Sequence, residues 1–371
     1  MDPHGVKAVP GRKRDWLDCP WLQKLHTYGL LHRAFRPAPP IRRLRTLTPQ
    51  RAELGRCGAT HLQHLGKALS AMNLHLQWVV SDLHGDRAMR IIEALLNGER
   101  DPKQLVKLRD ERCHKSTIEE MEAGLTGTCD EEHLLVLQQS LDARKFYQNQ
   151  ITQWDQRMEK VLAQIPTAQP LALKAPPKPV ATAEAPWKAK RKRVHHGPNA
   201  PEINFTQVLT RICGAALVKV CGLNLLSVLM LIGEIGTDMS RWRSARAFCS
   251  RLGLCPGAKI SGGKVLSRRT RKVNHRASTI LRLAAVAVGK TDSWLGHFYR
   301  RIRARRGGPK AVSATARKLA CIVYQMLKYG EDFAWPDLQQ YAAKAKAHRL
   351  RRLRKEAESL GFQLEELQQA A

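Results

Sequence analysis

The sequence predicts a mainly helical protein. Three observations carry that expectation: apolar residues recur at steps of three and four across 134–165, glycine-punctuated apolar runs of helical length fill the chain from Glu202 onward, and a charged segment of helical pattern closes it.

The elements follow in chain order. From Met1 to about Pro40 there are turn signals and short mixed segments, and in "RPAPPIRRLR" the prolines at 37, 39 and 40 bar a continuous helix. After Thr48-Pro49 the chain to about Leu76 is rich in Leu, Ala, Gln and His at helix-compatible spacing. The clearest periodicity then joins Leu134, Leu137, Leu141, Arg144, Tyr147, Ile151, Trp154, Met158, Val161 and Ile165, with one phase slip at Arg144. A coiled coil or long helical hairpin follows from it, and packing inside a single bundle fits equally well.

"IPTAQPLALKAPPKPVATAEAPWKAKRKRVHHGPNAP" is a linker, semi-extended where proline is dense. Its basic block, Lys188 to Arg193, reads as an import signal or as a phosphate-contacting tether. Beyond it, "INFTQVLTRICGAALVKVCGLNLLSVLMLIGEIG" predicts short apolar helices broken at Gly214, Gly222 and Gly233 and ended at Gly236. Such glycine turns either aim backbone N–H groups at phosphate or serve as C-caps. Further helices are predicted over Ser244–Leu252, Ala277–Val288, Ala311–Tyr329 and Gln340–Leu360.

Composition narrows the function. Lys and Arg number 63 against 32 acidic residues, a net +31 spread along most of the chain. Such a surface attracts polyanions, above all nucleic acid, because neutralising phosphates releases condensed counterions. No apolar run reaches the length of a membrane span, and the start "MDPHGVKAVPGRKRD" lacks the apolar middle of a signal peptide, so a cytoplasmic protein with no membrane partner is expected. The nine cysteines are odd in number and scattered, which argues against a disulfide framework and for small buried apolar thiols. Cys113-His114 with Cys129 and His133 lacks the CxxC pair of a zinc site.

Two stretches carry candidate chemistry. In "GRKRDWLDCPWLQKL", Asp15 and Asp18 would share one face of a helix, where they could hold a divalent cation beside Arg12, Lys13 and Arg14. An N-cap followed by a first-turn acid has the same spacing. In "KISGGKVLSRRTRK", the glycines after Ser261 let backbone approach a phosphate, and Lys259, Lys264, Arg268, Arg269, Arg271 and Lys272 supply charge. The residues alone read first as a phosphate-binding turn; nucleophilic attack by Ser261 is the second reading, since the cations could stabilise a transferring phosphoryl group.

"VKAVPGRKRDWLDCPWLQKLHTYGLLHRAFRP", "VVSDLHGDRAMRIIEALLNGERDP", "MLIGEIGTDMSRWRSARAFCSRLGLCPGAKISGGKVLSRRTRKV" and "FYRRIRARRGGPKAVSATARKLACIVYQMLKYG" resemble the insertion-sequence transposases of the IS one-ten family, in its IS eleven-eleven branch. The resemblance covers nearly the whole chain. It implies a RuvC-like domain of RNase H fold whose DEDD acids bind divalent metal, usually magnesium, then a coiled coil and a helical transposase domain bearing an essential serine. By that resemblance Asp15 and Asp18 correspond to the last two acids of that set and Ser261 to the serine. The resemblance further implies DNA cutting and rejoining through a phosphoserine, guidance by a structured bridge RNA, and homo-oligomers whose active sites combine domains of different subunits.

The chain departs from that pattern. Family members carry the first Asp and the Glu well before a "GRKTD" motif that here begins at Gly11, so an N-terminally truncated copy is expected, with a remnant α/β domain and weak magnesium binding. Arg14 stands where the family favours threonine, and in "VNHRA" the asparagine does not directly precede the arginine. The expected organisation is a RuvC-like remnant over 1–75, a helical or coiled-coil region over 76–165, a basic linker over 166–201, the serine-bearing domain over 202–330 and a charged helix over 331–371. The expected function is DNA transposition with Ser261 as nucleophile. The alternative is an inactive truncated chain that binds nucleic acid or joins intact copies.

Overall fold

Two 33-residue helices organise the molecule: α2 (Pro39–Ala71) and α6 (Glu131–Ala163). The computed structural model describes residues 15–31, 37–80, 82–83, 85–109, 117–168, 201, 203–257, 259–267, 270, 273–333, 347, 350–351, 353–354, 356–359 and 361–362. Helices dominate the described residues, and β1 (Lys259–Ser261) with β2 (Lys264–Ser267) forms a two-stranded sheet. The linker expected over 166–201 falls almost wholly outside the described residues, as does much of the charged C-terminal segment.

The start of α2 differs from the sequence expectation. Pro39 and Pro40 occupy its first turn, where a missing N–H costs nothing and the fixed φ already suits a helix. Pro49, read as a boundary, lies inside the same helix. The prolines therefore begin a long helix instead of barring one.

Contacts along α2 and α6 run in opposite chain directions: Arg43 donates to the Gln164 side chain, Arg51 meets Asp155, and Gly58 lies against the Cβ of Tyr147. The periodic stripe of α6 is thus met, within this chain, by an antiparallel partner. Midway along the pair, Arg51 Nε donates to Asp155 Oδ1 at 2.5 Å and Nη2 to Oδ2 at 2.9 Å, with both side chains 3% exposed. A bidentate pair this deeply buried fixes register, because a slip would strand both charges away from water. Buried Gly55 and Gly58 let the helices approach closely around it.

Each end of the pair closes on a separate apolar core. One contains Leu65 and Leu69 of α2 and Leu137 and Leu141 of α6, covered by α3 (Asp86–Leu96), α4 (Pro102–Lys107) and α5 (Ile118–Gly124). Local sequence starts these short helices: Asp101 caps α4, and Thr117 with Glu120 forms a capping box on α5. The other core joins Ile41, Leu44, Met158 and Leu162 to α7 (Phe205–Cys213), α8 (Leu225–Ile235), α9 (Ala245–Arg251), α10 (Arg276–Gly289), α11 (Trp294–Arg306) and α12 (Gly308–Tyr329). Burying each Leu or Ile there contributes about 1.5–3 kcal/mol. α12 is the hub, packing against α9, α10 and α11.

Gly214 and Gly236 end α7 and α8 with positive φ, as the sequence predicts. Gly233 does not break a helix. It lies within α8, where a Cβ would come to 3.4 Å from the Arg45 backbone, so its smallness serves the approach of α2. Of the thiols expected to be buried, Cys213 and Cys249 are, while Cys19 is exposed and Cys57, Cys129, Cys221, Cys255 and Cys321 are half-buried.

Breaking the Arg51–Asp155 pair from one side should be costly. We expect Arg51→Met to lower unfolding free energy by about 3–5 kcal/mol, whereas Arg51→Met with Asp155→Leu recovers most of the loss; urea denaturation of both variants measures the difference.

Candidate functional site

Ser261 lies at the tip of the β1–β2 hairpin. Ser261 pairs with Lys264 across the two-residue turn, and Gly262 and Gly263 have φ of 54° and 75°. A tight hairpin whose two central residues both take positive φ needs a primed turn, which Gly-Gly supplies without Cβ strain. The result holds the Ser261 and Lys264 side chains exposed beside an open turn, where a Cβ on either glycine would meet nothing. A register shift lies between Lys259 and Ile260, paired with Ser267 and Val265, so Leu266 has no partner on β1. Such bulges bend a ribbon and increase its twist. Ile260, Val265 and Leu266 are 63%, 43% and 70% exposed, a high apolar exposure for a ribbon of this size.

The hairpin springs from a firmly held base. α9 precedes it, capped by Ser244, and α10 follows it; both pack on α12, and a lone bridge between Pro256 and Thr270 extends the ribbon below the register shift. Of the cations expected around Ser261, Lys264 is exposed. Lys259 is in β1 with its side chain outside the described set, and Arg268, Arg269, Arg271 and Lys272 lie outside the described residues.

The base also holds a cluster that the sequence pattern does not announce. Glu234, near the C-terminal end of α8, is 5% exposed and pairs with Arg45 of α2 at 3.1 Å and Arg276 of α10 at 3.5 Å. Next to Arg276, His275 caps α10: its Nδ1 accepts from the Ala277 N–H at 3.2 Å, which requires the neutral ring protonated at Nε2. Burial lowers the His275 pKa, and nearby Arg45 and Arg251 push the same way against the opposing Glu234 carboxylate. One acid inside the apolar run "LMLIGEIG" was the available signal, because an acid buried in hydrocarbon requires cationic partners.

The acid pair stands at the beginning of α1 (Asp15–Thr27). The helical spacing expected of Asp15 and Asp18 is present; Asp18 is exposed, and the Asp15 side chain lies outside the described set. Among the described residues no three His, Cys, Asp or Glu side chains group as metal ligands. Cys113 and His114, weighed as zinc ligands, lie outside the described residues. Among the described residues no helix is long and apolar enough to cross a membrane.

A second basic surface lies on α11 and the start of α12. From Ser293 to Gly330 the sequence has no Asp or Glu. Arg300 is tied to Asp292 and to the carbonyls of Gly289 and Thr291, whereas Arg303, Arg305, Arg306 and Lys310 are exposed. Lys318 holds α11 to α12 by lying 4.6 Å from the ring centres of both Trp294 and Phe298.

Acid should loosen the hairpin base through His275. Its folded pKa is depressed, so the unfolded chain takes the proton first: the contribution is complete above the ordinary value of about 6.5 and is lost as pH falls through the folded pKa. His275→Ala should cost about 1 kcal/mol at neutral pH, and His275→Asn should keep the cap without its acid loss. Thermal unfolding of the three proteins from pH 7.5 to 5 checks both.

No curated protein matches the chain. Residues 215–300 match the model of the Transposase IS116/IS110/IS902 family, and the matched span runs through α8, α9, the Ser261 hairpin, α10 and the first half of α11. This part of the chain is similar to the transposase domain of insertion sequences.

Proposed function

We propose that this protein is a DNA transposase of an insertion sequence, in which the Ser261 hydroxyl attacks a DNA phosphodiester. The observation that carries the reading is the family match over 215–300, which spans an exposed serine at the tip of a glycine turn. In the attack, Ser261 Oγ loses its proton and bonds to phosphorus, while a sugar oxygen leaves and is protonated. The phosphoserine ester keeps the bond energy needed for rejoining, and the reverse displacement by another strand end releases the serine. Lys264 stands across the turn to neutralise charge on the transferring phosphoryl oxygens, with Lys259, Arg268, Arg269, Arg271 and Lys272 close to it in sequence.

The finer parts of the reading rest on the sequence resemblance: the IS eleven-eleven branch, a RuvC-like segment near α1, guidance by a structured RNA, and an oligomer whose subunits share active sites. For magnesium, Asp15 and Asp18 supply at most two carboxylates one helical turn apart. That donor set fits one ion completed by water and substrate phosphates better than a two-metal centre, and the ion would supply charge neutralisation at phosphate. Ser261 and Lys264 carry the proposed bond making without it.

Binding is attributed to the basic surface of α11 and α12 as well as to the hairpin. Arg303, Arg305, Arg306 and Lys310 offer phosphate contacts that position nucleic acid without reading its sequence.

Two measurements test this. Incubated with element-end DNA, its RNA and magnesium, the chain should form a covalent protein–DNA adduct that Ser261→Ala abolishes; an adduct persisting in that variant would remove the serine's role. Salt-sensitive binding with no adduct would instead favour the alternative, a chain that binds nucleic acid without cutting it. For the second, Arg305→Ala with Arg306→Ala should flatten the slope of log affinity against log salt by about 1 for each phosphate that is no longer neutralised, with equal effect on unrelated DNA sequences.

A further inference from the structure

We propose that Cys249 and Cys321 form a peroxide-responsive dithiol that closes to a disulfide and staples α9 to α12 across the segment bearing the Ser261 hairpin. Their sulfurs are 3.5 Å apart, Cys249 on α9 and Cys321 on α12. The two thiols are not equivalent. Cys249 is fully buried and its S–H can donate to the Cys321 sulfur or, at 3.7 Å, to the Arg317 carbonyl, whereas Cys321 is half-buried. The hydrogen bond with Cys249, helped by Arg317 and Lys318, outweighs burial and brings the Cys321 thiol down to about 7. Cys249 moves the other way, raised by the same hydrogen bond and by burial. That asymmetry suits an attacking sulfur backed by a resolving one.

The oxidant is a peroxide. The Cys321 thiolate attacks one peroxide oxygen, the O–O bond breaks, and the leaving hydroxide takes a proton to become water; the sulfur is oxidised to sulfenic acid. Cys249 then gives up its proton and attacks that sulfur. The S–O bond breaks, a second water leaves, and the S–S bond forms. The sulfurs must draw together by roughly 1.5 Å to reach bonding distance. A thiol reductant reverses the change, as suits a regulatory disulfide in a reducing compartment.

The closed loop would hold the hairpin, α10 and α11, so oxidation would covalently fix the two helices at the base of Ser261. Cys255 is the competing partner, since it is near enough to Cys249 to help raise that thiol, and its own S–H can donate to the Arg246 carbonyl at 3.8 Å.

The test uses the reduced full chain, treated with hydrogen peroxide, blocked with an alkylating agent, digested and read by mass spectrometry. The expected result is a peptide joining Cys249 to Cys321, lost on dithiothreitol treatment and retained in Cys255→Ser. In Cys249→Ser, whose hydroxyl can still donate to the Cys321 sulfur but cannot resolve it, the sulfenic acid should accumulate on Cys321 and react with dimedone. A disulfide to Cys255 instead, or Cys321 oxidised no faster than exposed Cys19 in the unsubstituted chain, would overturn the proposal.

Discussion

The buried carboxylate of Glu234 is the constraint on which the arrangement around Ser261 depends. One of its oxygens meets Arg45 of α2 and the other meets Arg276 of α10. The acid sits 5% exposed where α8 crosses α2, at the crossing that Gly233 keeps close. Removing water from a carboxylate costs several kcal/mol unless its oxygens are paired. Both arginines must therefore stay in place, which ties the long helix pair to the first residue of α10. A two-stranded ribbon is by itself marginal in water. The hairpin's position is inherited from α9 and α10, and theirs from α12 and Glu234.

The same logic explains how one chain holds two cores apart. The α2–α6 pair is a strut with an apolar end in each core, and its middle is filled by the Arg51–Asp155 pair and by stacking of His61 on Tyr147. Small and polar residues at that middle give a defined register where an apolar stripe alone would permit sliding. The hairpin is the opposite case, with exposed apolar residues and a glycine turn open to solvent. Rigidity below and openness at the tip suit the proposed attack of the Ser261 hydroxyl on a phosphate of a large partner.

Much of this was legible in the sequence because the signals were local. Helix ends at Gly214 and Gly236 follow from left-handed glycine, and Ser244 marks the start of α9. The three-and-four spacing of α6 announced a helix with a buried stripe, yet could not say what covers it; the partner is α2, far away in the chain. Pro49 and Gly233 misled because their ordinary meaning as breakers was overridden by packing. "KISGGKVLS" reads in hindsight as two short alternating runs around Gly-Gly, a hairpin signal masked by its lysines. Ser261 stands out in the sequence as a candidate through local composition and resemblance. The Glu234 cluster does not, because its members stand at 45, 234 and 276 and meet only in three dimensions.

The proposed function rests on where Ser261 is delivered, so the most direct measurement is the chemical identity of the linked residue. The trapped protein–DNA adduct would be stripped with nuclease, digested with protease and sequenced by mass spectrometry. The account predicts a nucleotide remnant on the peptide containing Ser261, bonded through its hydroxyl oxygen to phosphorus. A remnant on any other side chain would contradict it.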